Sequence, residues 1–115
     1  MATTISRDEL KAKIDSHEDF QLVEALAQDE FQKQHLPGAI NLPPDQVKDR
    51  ASQILPDKDA DIVVYCGSSE CSASEKAAAD LENQGYSRVR RYVEGKKDWA
   101  EAGLPMEGHK QAVGS

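Results

Sequence analysis

Basic residues are in the minority in this sequence: 14 lysines and arginines stand against 21 aspartates and glutamates, for a formal net charge of −7. Such a surface repels nucleic-acid phosphates, and no basic stripe with interleaved aromatic residues is present, so we expect no nucleic-acid partner. No apolar run approaches the ~20 residues of a membrane-spanning helix, so we expect no membrane partner. The chain has only two cysteines, which is too few for a disulfide framework.

The compartment and the domain organisation are also expectations from composition. Residues 1–7 lack the basic and apolar regions of a secretory signal, so we expect reduced thiols and a cytoplasmic location. A chain of 115 residues, 38% hydrophobic and 30% charged, suits one globular domain. We expect that domain to span residues 1–107, followed by a flexible tail at 108–115.

Strand and helix patterns alternate along the chain. Ser6 and Glu9 form a capping-box pattern, which predicts a helix bearing Leu10 and Ile14. The strongest strand signal is the apolar run 62–65, which is expected at the centre of the sheet. Strands are predicted at 20–23, 39–42, 62–65 and 88–93, and further helices at 29–34, 47–55, 73–84 and 97–102. This alternation predicts an α/β fold, with a parallel β-sheet core flanked by helices on both faces.

Cys66 follows the central strand and precedes a short Gly/Ser-rich loop and a helix. Ser72 and Glu75 have capping-box spacing at the start of that helix. A thiol in this position faces the positive end of a helix dipole, so Cys66 is predicted to be a nucleophile with a lowered pKa. The alternative is that Cys66 is a small buried hydrophobic side chain.

Three segments resemble the signatures of rhodanese-like domains. Residues 35–43, HLPGAINLP, are similar to that family's G-H-I-P-G-A-I-N-I-P stretch, and Val64-Tyr65-Cys66 to its strand before the catalytic cysteine. The third segment, residues 85–105, has the closing pattern of Gly, aromatic, Val, Trp and Gly-Leu-Pro. The resemblance implies a single-domain sulfurtransferase that carries a persulfide on Cys66, between a small-molecule or protein-bound sulfur donor and a thiol acceptor. It implies no metal and no organic cofactor.

A persulfide also needs a cradle for its negative charge. Backbone N–H groups of a loop that curls around the Cys66 sulfur, together with a helix N-terminus, supply one without a side-chain cation. The predicted substrate and anion-cradle loop consists of Gly67, Ser68, Ser69, Glu70, Cys71 and Ser72.

The sequence departs from the family pattern in three places. Glu24 and Leu26 stand where the family has Asp and Arg, the cradle loop has no Arg or Lys, and the loop is about two residues longer than the commonest form. We therefore expect thiosulfate, a dianion, to be a poor donor. The missing cation also leaves a second interpretation open, in which the domain is a catalytically idle or redox-gated module for protein binding or regulation.

Other chemistries have weaker support. Phosphatases and arsenate reductases of the same fold need Arg six positions after the cysteine, and here that residue is Ser72. Cys71 is either a resolving thiol for Cys66 or a neutral filler of the loop. A zinc site lacks a second pair of ligands. His35, beside a Pro-Gly turn, is expected to be structural, and either Arg90 or Arg91 is a candidate to face the loop.

Overall fold

The computed structural model describes residues 3–108. Within these residues no helix is long and apolar enough to cross a membrane. The strands are β1 (Thr3–Thr4), β2 (Gln21–Glu24), β3 (Ile40–Asn41), β4 (Ile62–Tyr65) and β5 (Val89–Tyr92). The helices are α1 (Arg7–Asp15), α2 (Gln28–Lys33), α3 (Val47–Ile54), α4 (Ala73–Asn83) and α5 (Gly95–Glu101), with a 3-10 turn at Pro44–Gln46 before α3.

The five strands form one sheet in the order β1-β5-β4-β2-β3, and every pairing is parallel. The predicted α/β class with a parallel sheet is therefore confirmed. β4 lies at the centre, as its apolar sequence predicts, with Val64 in register with Val23 on one side and Arg91 on the other. β1 was not predicted because its two exposed threonines carry no apolar pattern.

Helices cover both faces of the sheet, each over its own hydrophobic core. Alternate side chains of β4 point to opposite faces, so Ile62 and Val64 belong to one core and Val63 and Tyr65 to the other. The first core packs α3 and α4 against the sheet, and the second packs α1 and α5, including Trp99. All four residues of β4 are consequently buried, which explains why this strand reads as a continuous apolar run.

The two predicted capping boxes have different outcomes. At α1, Ser6 and Glu9 exchange side-chain and backbone hydrogen bonds at 3.1 Å each, so that prediction is confirmed. At α4, the box between Ser72 and Glu75 is wrong, since Ser72 occupies the N-cap position without a capping hydrogen bond. Its backbone has φ −95° and ψ 0° rather than the extended conformation from which a cap side chain reaches the helix amides.

The end of the described region returns to the segment that follows α2. The backbones of His35 and Glu107 pair through two hydrogen bonds of 2.8 Å each. The imidazole of His35 hydrogen-bonds to the Phe31 carbonyl at 2.8 Å and stacks on the Phe31 ring. These contacts agree with the structural role expected for His35. Apart from Gly108, the predicted tail at 108–115 lies outside the described residues.

A buried ionic network links the ends of β2 and β4 to α5. The Glu24 carboxylate is fully buried, accepts a hydrogen bond of 2.7 Å from the Tyr65 hydroxyl and pairs with Lys96 Nζ at 3.0 Å. Lys96 Nζ also donates to the carbonyls of Glu30 and Gln34. Each polar atom of the pair thus has partners, which is the condition under which a buried ion pair is tolerated.

We predict that Lys96→Met lowers the free energy of unfolding by about 3 kcal/mol, because it leaves the Glu24 carboxylate buried without its cation. Adding Glu24→Gln should recover part of that loss, since the amide is neutral and still bonds the Tyr65 hydroxyl. Urea unfolding of the single and double variants measures both effects. Lys33→Met is the control, because the Lys33 pair with Glu30 is exposed and 3.7 Å long. Strictly additive losses would show that Glu24 and Lys96 are not coupled.

Candidate active site

Cys66 lies directly after β4, at the carboxyl edge of the sheet, and is 1% exposed. Ligands of parallel α/β sheets bind at this edge, where loops leave the strands. The chain then turns away from the sheet because backbone amides at the N-terminus of α5 hydrogen-bond to the carbonyls of Cys66 and Gly67. The Lys96 amide donates to the Cys66 carbonyl and the Lys97 amide to the Gly67 carbonyl, each at 2.8 Å.

Gly95 makes these two backbone hydrogen bonds possible. It adopts φ +75°, and a Cβ atom there would lie 2.6 Å from the Cys66 carbonyl oxygen and 2.8 Å from the Ser68 amide nitrogen. Both contacts are with backbone, which has no flexible end that can move aside. A residue without a side chain is therefore required where α5 meets the loop.

The Cys66 sulfur faces the first turn of α4. It lies 3.6 Å from Ser74 Oγ, and the Ser74 backbone N–H also hydrogen-bonds to it. Ser74 is buried, and its hydroxyl accepts hydrogen bonds from Arg91 Nε at 3.4 Å and Arg91 Nη2 at 3.3 Å. Arg91 of β5 thus places a positive charge against the Ser74 hydroxyl, which in turn contacts the sulfur.

The position of Arg91 follows from strand alternation. Val89 and Arg91 point to the face covered by α4, whereas Arg90 points to the other face and pairs with Asp61 at 3.2 Å. Of the two arginines considered from the sequence, Arg91 is therefore the one that approaches the cysteine. The sequence analysis did not identify Ser74, whose signal was only its place in the first turn of the helix that follows Cys66.

Cys71 folds back onto Cys66. The Cys66 thiol donates to the Cys71 carbonyl oxygen at 3.4 Å and is also a donor toward the Cys71 sulfur. The Cys71 sulfur also accepts hydrogen bonds from the backbone N–H groups of Ala73, Gly67 and Ser74. Both cysteines are free thiols, Cys66 buried and Cys71 partly exposed.

These contacts shift the pKa values of the two thiols in opposite directions. Burial raises the pKa of Cys66, and the contact with Cys71 raises it further against the hydrogen bonds from Ser74. Partial burial alone would raise the pKa of Cys71 too, but the hydrogen bonds from Cys66 and the backbone N–H groups outweigh it and lower that pKa. The lowered pKa predicted for Cys66 is therefore wrong, and Cys71 is the more acidic of the two thiols.

Two amides of the remaining loop residues bond within the loop itself. The amides of Glu70 and Cys71 donate to Ser68 Oγ at 3.4 Å and to the Ser68 carbonyl at 3.1 Å. Backbone N–H groups at the two ends of the loop, those of Gly67, Ala73 and Ser74, lower the pKa of the Cys71 thiol. Ser69 and Glu70 are exposed.

The outer side of the loop borders a cavity of about 220 Å³ with an acidic lining. It is lined by Ser68, Ser69, Glu70, Glu94, Lys97, Asp98 and Glu101. Among these residues Lys97 is the sole cation, and Asp98 is engaged by Arg7 at 3.0 Å and by the Tyr92 hydroxyl at 2.6 Å. The cavity therefore disfavours anions. Within residues 3–108 no three His, Cys, Asp or Glu side chains cluster as metal ligands.

Comparison with known proteins gives concordant results. The Rhodanese-like domain profile matches residues 6–102. The chain is 35% identical over 106 residues to a sulfurtransferase of Allochromatium vinosum, covering 92% of this chain and 95% of that protein. It is 34% identical over 103 residues to an HTH-type transcriptional regulator of Mycobacterium tuberculosis, covering 90% of this chain and 44% of the regulator.

Structural comparison points the same way. The Rhodanese-like domain of an Anabaena protein superimposes with a TM-score of 0.83 at 26% identity, covering 97% of this chain and 83% of that one. The chain spans only about half the length of some curated relatives, 49% for a Bacillus subtilis protein and 44% for the mycobacterial regulator. The profile match nevertheless covers most of the sequence. This chain belongs to the rhodanese-like domain family.

Proposed function

We propose that this protein is a sulfurtransferase that carries a sulfane sulfur as a persulfide on Cys66 and passes it to a thiophilic acceptor. The observation that carries the proposal is the position of the Cys66 sulfur, which contacts the Ser74 amide and hydroxyl at the start of α4 with Arg91 behind them. Membership of a family with a sulfurtransferase at 35% identity supports the same reaction class. The cytoplasmic location and the small-molecule or protein-bound sulfur partners expected from the sequence belong to this proposal.

The resting thiol of Cys66 is neutral, so loading needs a proton acceptor. Cys71, whose pKa is lowered, contacts Cys66 and as its thiolate takes the proton; without Cys71 the buffer takes it, so Cys71 is not required for loading. The Cys66 thiolate then attacks the outer sulfur of the donor, the donor's S–S bond breaks, and the donor leaves as a thiolate. Hydrogen bonds from Ser74, polarised by Arg91, stabilise the charge on Cys66 while the new S–S bond forms.

A second function is supported by one relative. The mycobacterial protein that matches 90% of this chain is named as a transcriptional regulator, so a rhodanese-like domain also occurs within a protein with that role. A regulatory module of this kind needs the Cys66 site only as a sensor or docking point. Sulfur transfer from a donor to an acceptor over many turnovers distinguishes the enzyme from this module.

The central prediction concerns Cys66. After incubation of the protein with glutathione persulfide, Cys71→Ser should gain the mass of one sulfur atom, because Cys66 is intact and the second thiol is gone. Cys66→Ser should gain none under the same conditions. Intact-mass spectrometry without reductant makes the measurement. Equal sulfur uptake by both variants would show that Cys66 is not the carrier.

Arg91 is predicted to act on Cys66 through Ser74. In the Cys71→Ser background, the pH midpoint for alkylation of Cys66 should lie above the ~8.5 of a free cysteine, because burial favours the neutral thiol. Arg91→Ala should move the midpoint higher and slow alkylation about fivefold at fixed pH, the effect of ~1 kcal/mol.

Two variants control for other effects of Arg91. Arg91→Lys should restore part of the rate, since it retains the charge, whereas a purely structural role would not shift the midpoint. Arg90→Ala removes the same charge from the neighbouring position, where the side chain pairs with Asp61. A midpoint that moves equally in Arg90→Ala and Arg91→Ala would contradict a path through Ser74.

Thiosulfate is predicted to be a poor donor because the loop presents the Glu70 carboxylate beside an acidic cavity. Glu70→Arg should lower the apparent KM for thiosulfate roughly two- to fivefold, and more at low salt, as exposed charges are screened. Asp49→Arg is the control, with the same charge change at an exposed position of α3 outside the cavity. Steady-state kinetics at two ionic strengths makes the test. Saturation of the wild type at low thiosulfate would refute the electrostatic argument.

A further inference from the structure

The second thiol of the loop occupies the place where a transferred sulfur would be held. The backbone N–H groups of Gly67, Ala73 and Ser74 lower the pKa of the Cys71 thiol, and the Ser74 N–H acts in the same direction on Cys66. An outer sulfur on Cys66 carries negative charge and needs such donors. It would therefore form beside Cys71, whose sulfur shares these donors.

The contact between the two cysteines is direct. The Cys66 thiol reaches the Cys71 carbonyl oxygen at 3.4 Å and is also a donor toward the Cys71 sulfur. Cys66 is buried, whereas Cys71 is partly exposed and carried by a loop whose next residues, Ser72 and Ala73, begin α4. A short movement of that loop brings sulfur to sulfur without unfolding a strand or a helix.

We propose that Cys71 discharges the sulfur that Cys66 accepts, so that the domain releases sulfide and closes a disulfide between Cys66 and Cys71. This inference rests on the proposed function, because it begins from the Cys66 persulfide. It assigns the loop a further activity, the reduction of a sulfane sulfur to sulfide by the two thiols of the protein.

The step balances as a thiol–disulfide exchange. Cys71 passes the proton that it took from Cys66 to the outer sulfur, and the resulting Cys71 thiolate attacks Cys66 Sγ, the inner sulfur of the persulfide, and forms the Sγ–Sγ bond. The bond between Cys66 Sγ and the outer sulfur breaks, and the outer sulfur leaves with the electron pair and its proton as hydrosulfide. The sulfane sulfur is reduced by two electrons while the two cysteines are oxidised to a disulfide.

The choice of the inner sulfur follows from the geometry. Cys71 contacts Cys66 Sγ itself, and hydrosulfide is a better leaving group than an ordinary alkyl thiolate because its conjugate acid has a lower pKa. A second turnover requires reduction of the disulfide by an external dithiol. The chemistry therefore calls for a persulfide donor and a dithiol reductant, with sulfide as the product.

The test is a single turnover with glutathione persulfide and no reductant. Wild-type protein should lose the mass of two hydrogens and release sulfide in stoichiometric amount, measured with a fluorescent bimane. Peptide mapping of that sample should show Cys66 linked to Cys71. Cys71→Ser should instead keep the mass of one added sulfur, with sulfide at the background of the donor alone.

The outcomes separate the two proposals. If the wild type keeps its added sulfur as long as Cys71→Ser does and releases no sulfide, the discharge step is wrong and the sulfurtransferase proposal stands. If neither the wild type nor Cys71→Ser takes up sulfur, the sulfurtransferase proposal fails and the discharge step with it. Stoichiometric sulfide from Cys66→Ser would overturn the discharge step by showing that Cys71 reacts without Cys66.

Discussion

The site depends on two backbone hydrogen bonds, from the amides of Lys96 and Lys97 to the carbonyls of Cys66 and Gly67. They turn the chain away from β4 and commit two carbonyl oxygens to α5, so that these oxygens do not face the sulfur. Gly95 is the condition for both bonds, since any Cβ atom would collide with the loop backbone. The start of α5 and the start of the loop therefore fold as one unit.

The buried Glu24 carboxylate extends this constraint to the rest of the sheet. Lys96, whose amide holds the Cys66 carbonyl, also extends its side chain to Glu24 at the end of β2. Tyr65, the residue before Cys66, bonds the other carboxylate oxygen. The residues on either side of the cysteine site are thus tied to a charge in the interior, where a missing partner is costly. This arrangement accounts for a buried glutamate at the carboxyl end of β2.

Electrostatics divide the surroundings of the cysteine in two. Behind Cys66, Ser74 and Arg91 supply donors and a positive charge, whereas the outer surface of the loop carries Glu70 and an acidic cavity. The inner side suits a charged sulfur, and the outer side disfavours a free dianion. Arg91 from β5 supplies a positive charge that the loop sequence lacks, and the outer surface of the loop stays acidic.

The sequence by itself determined the place of Cys66 and, apart from β1 and the 3-10 turn, the order and type of the elements. Four apolar residues, a Gly/Ser loop and an alanine-rich run impose strand, turn and helix locally, and a parallel sheet puts the end of its central strand at the ligand edge. Only the tertiary structure decided what surrounds the sulfur. Arg91 and Lys96 come from segments distant in sequence, and the fold of the loop brings Cys71 back to Cys66. Such contacts reverse the expected acidity of Cys66, because desolvation and the contact with the Cys71 side chain arise from packing and have no signature in a local pattern.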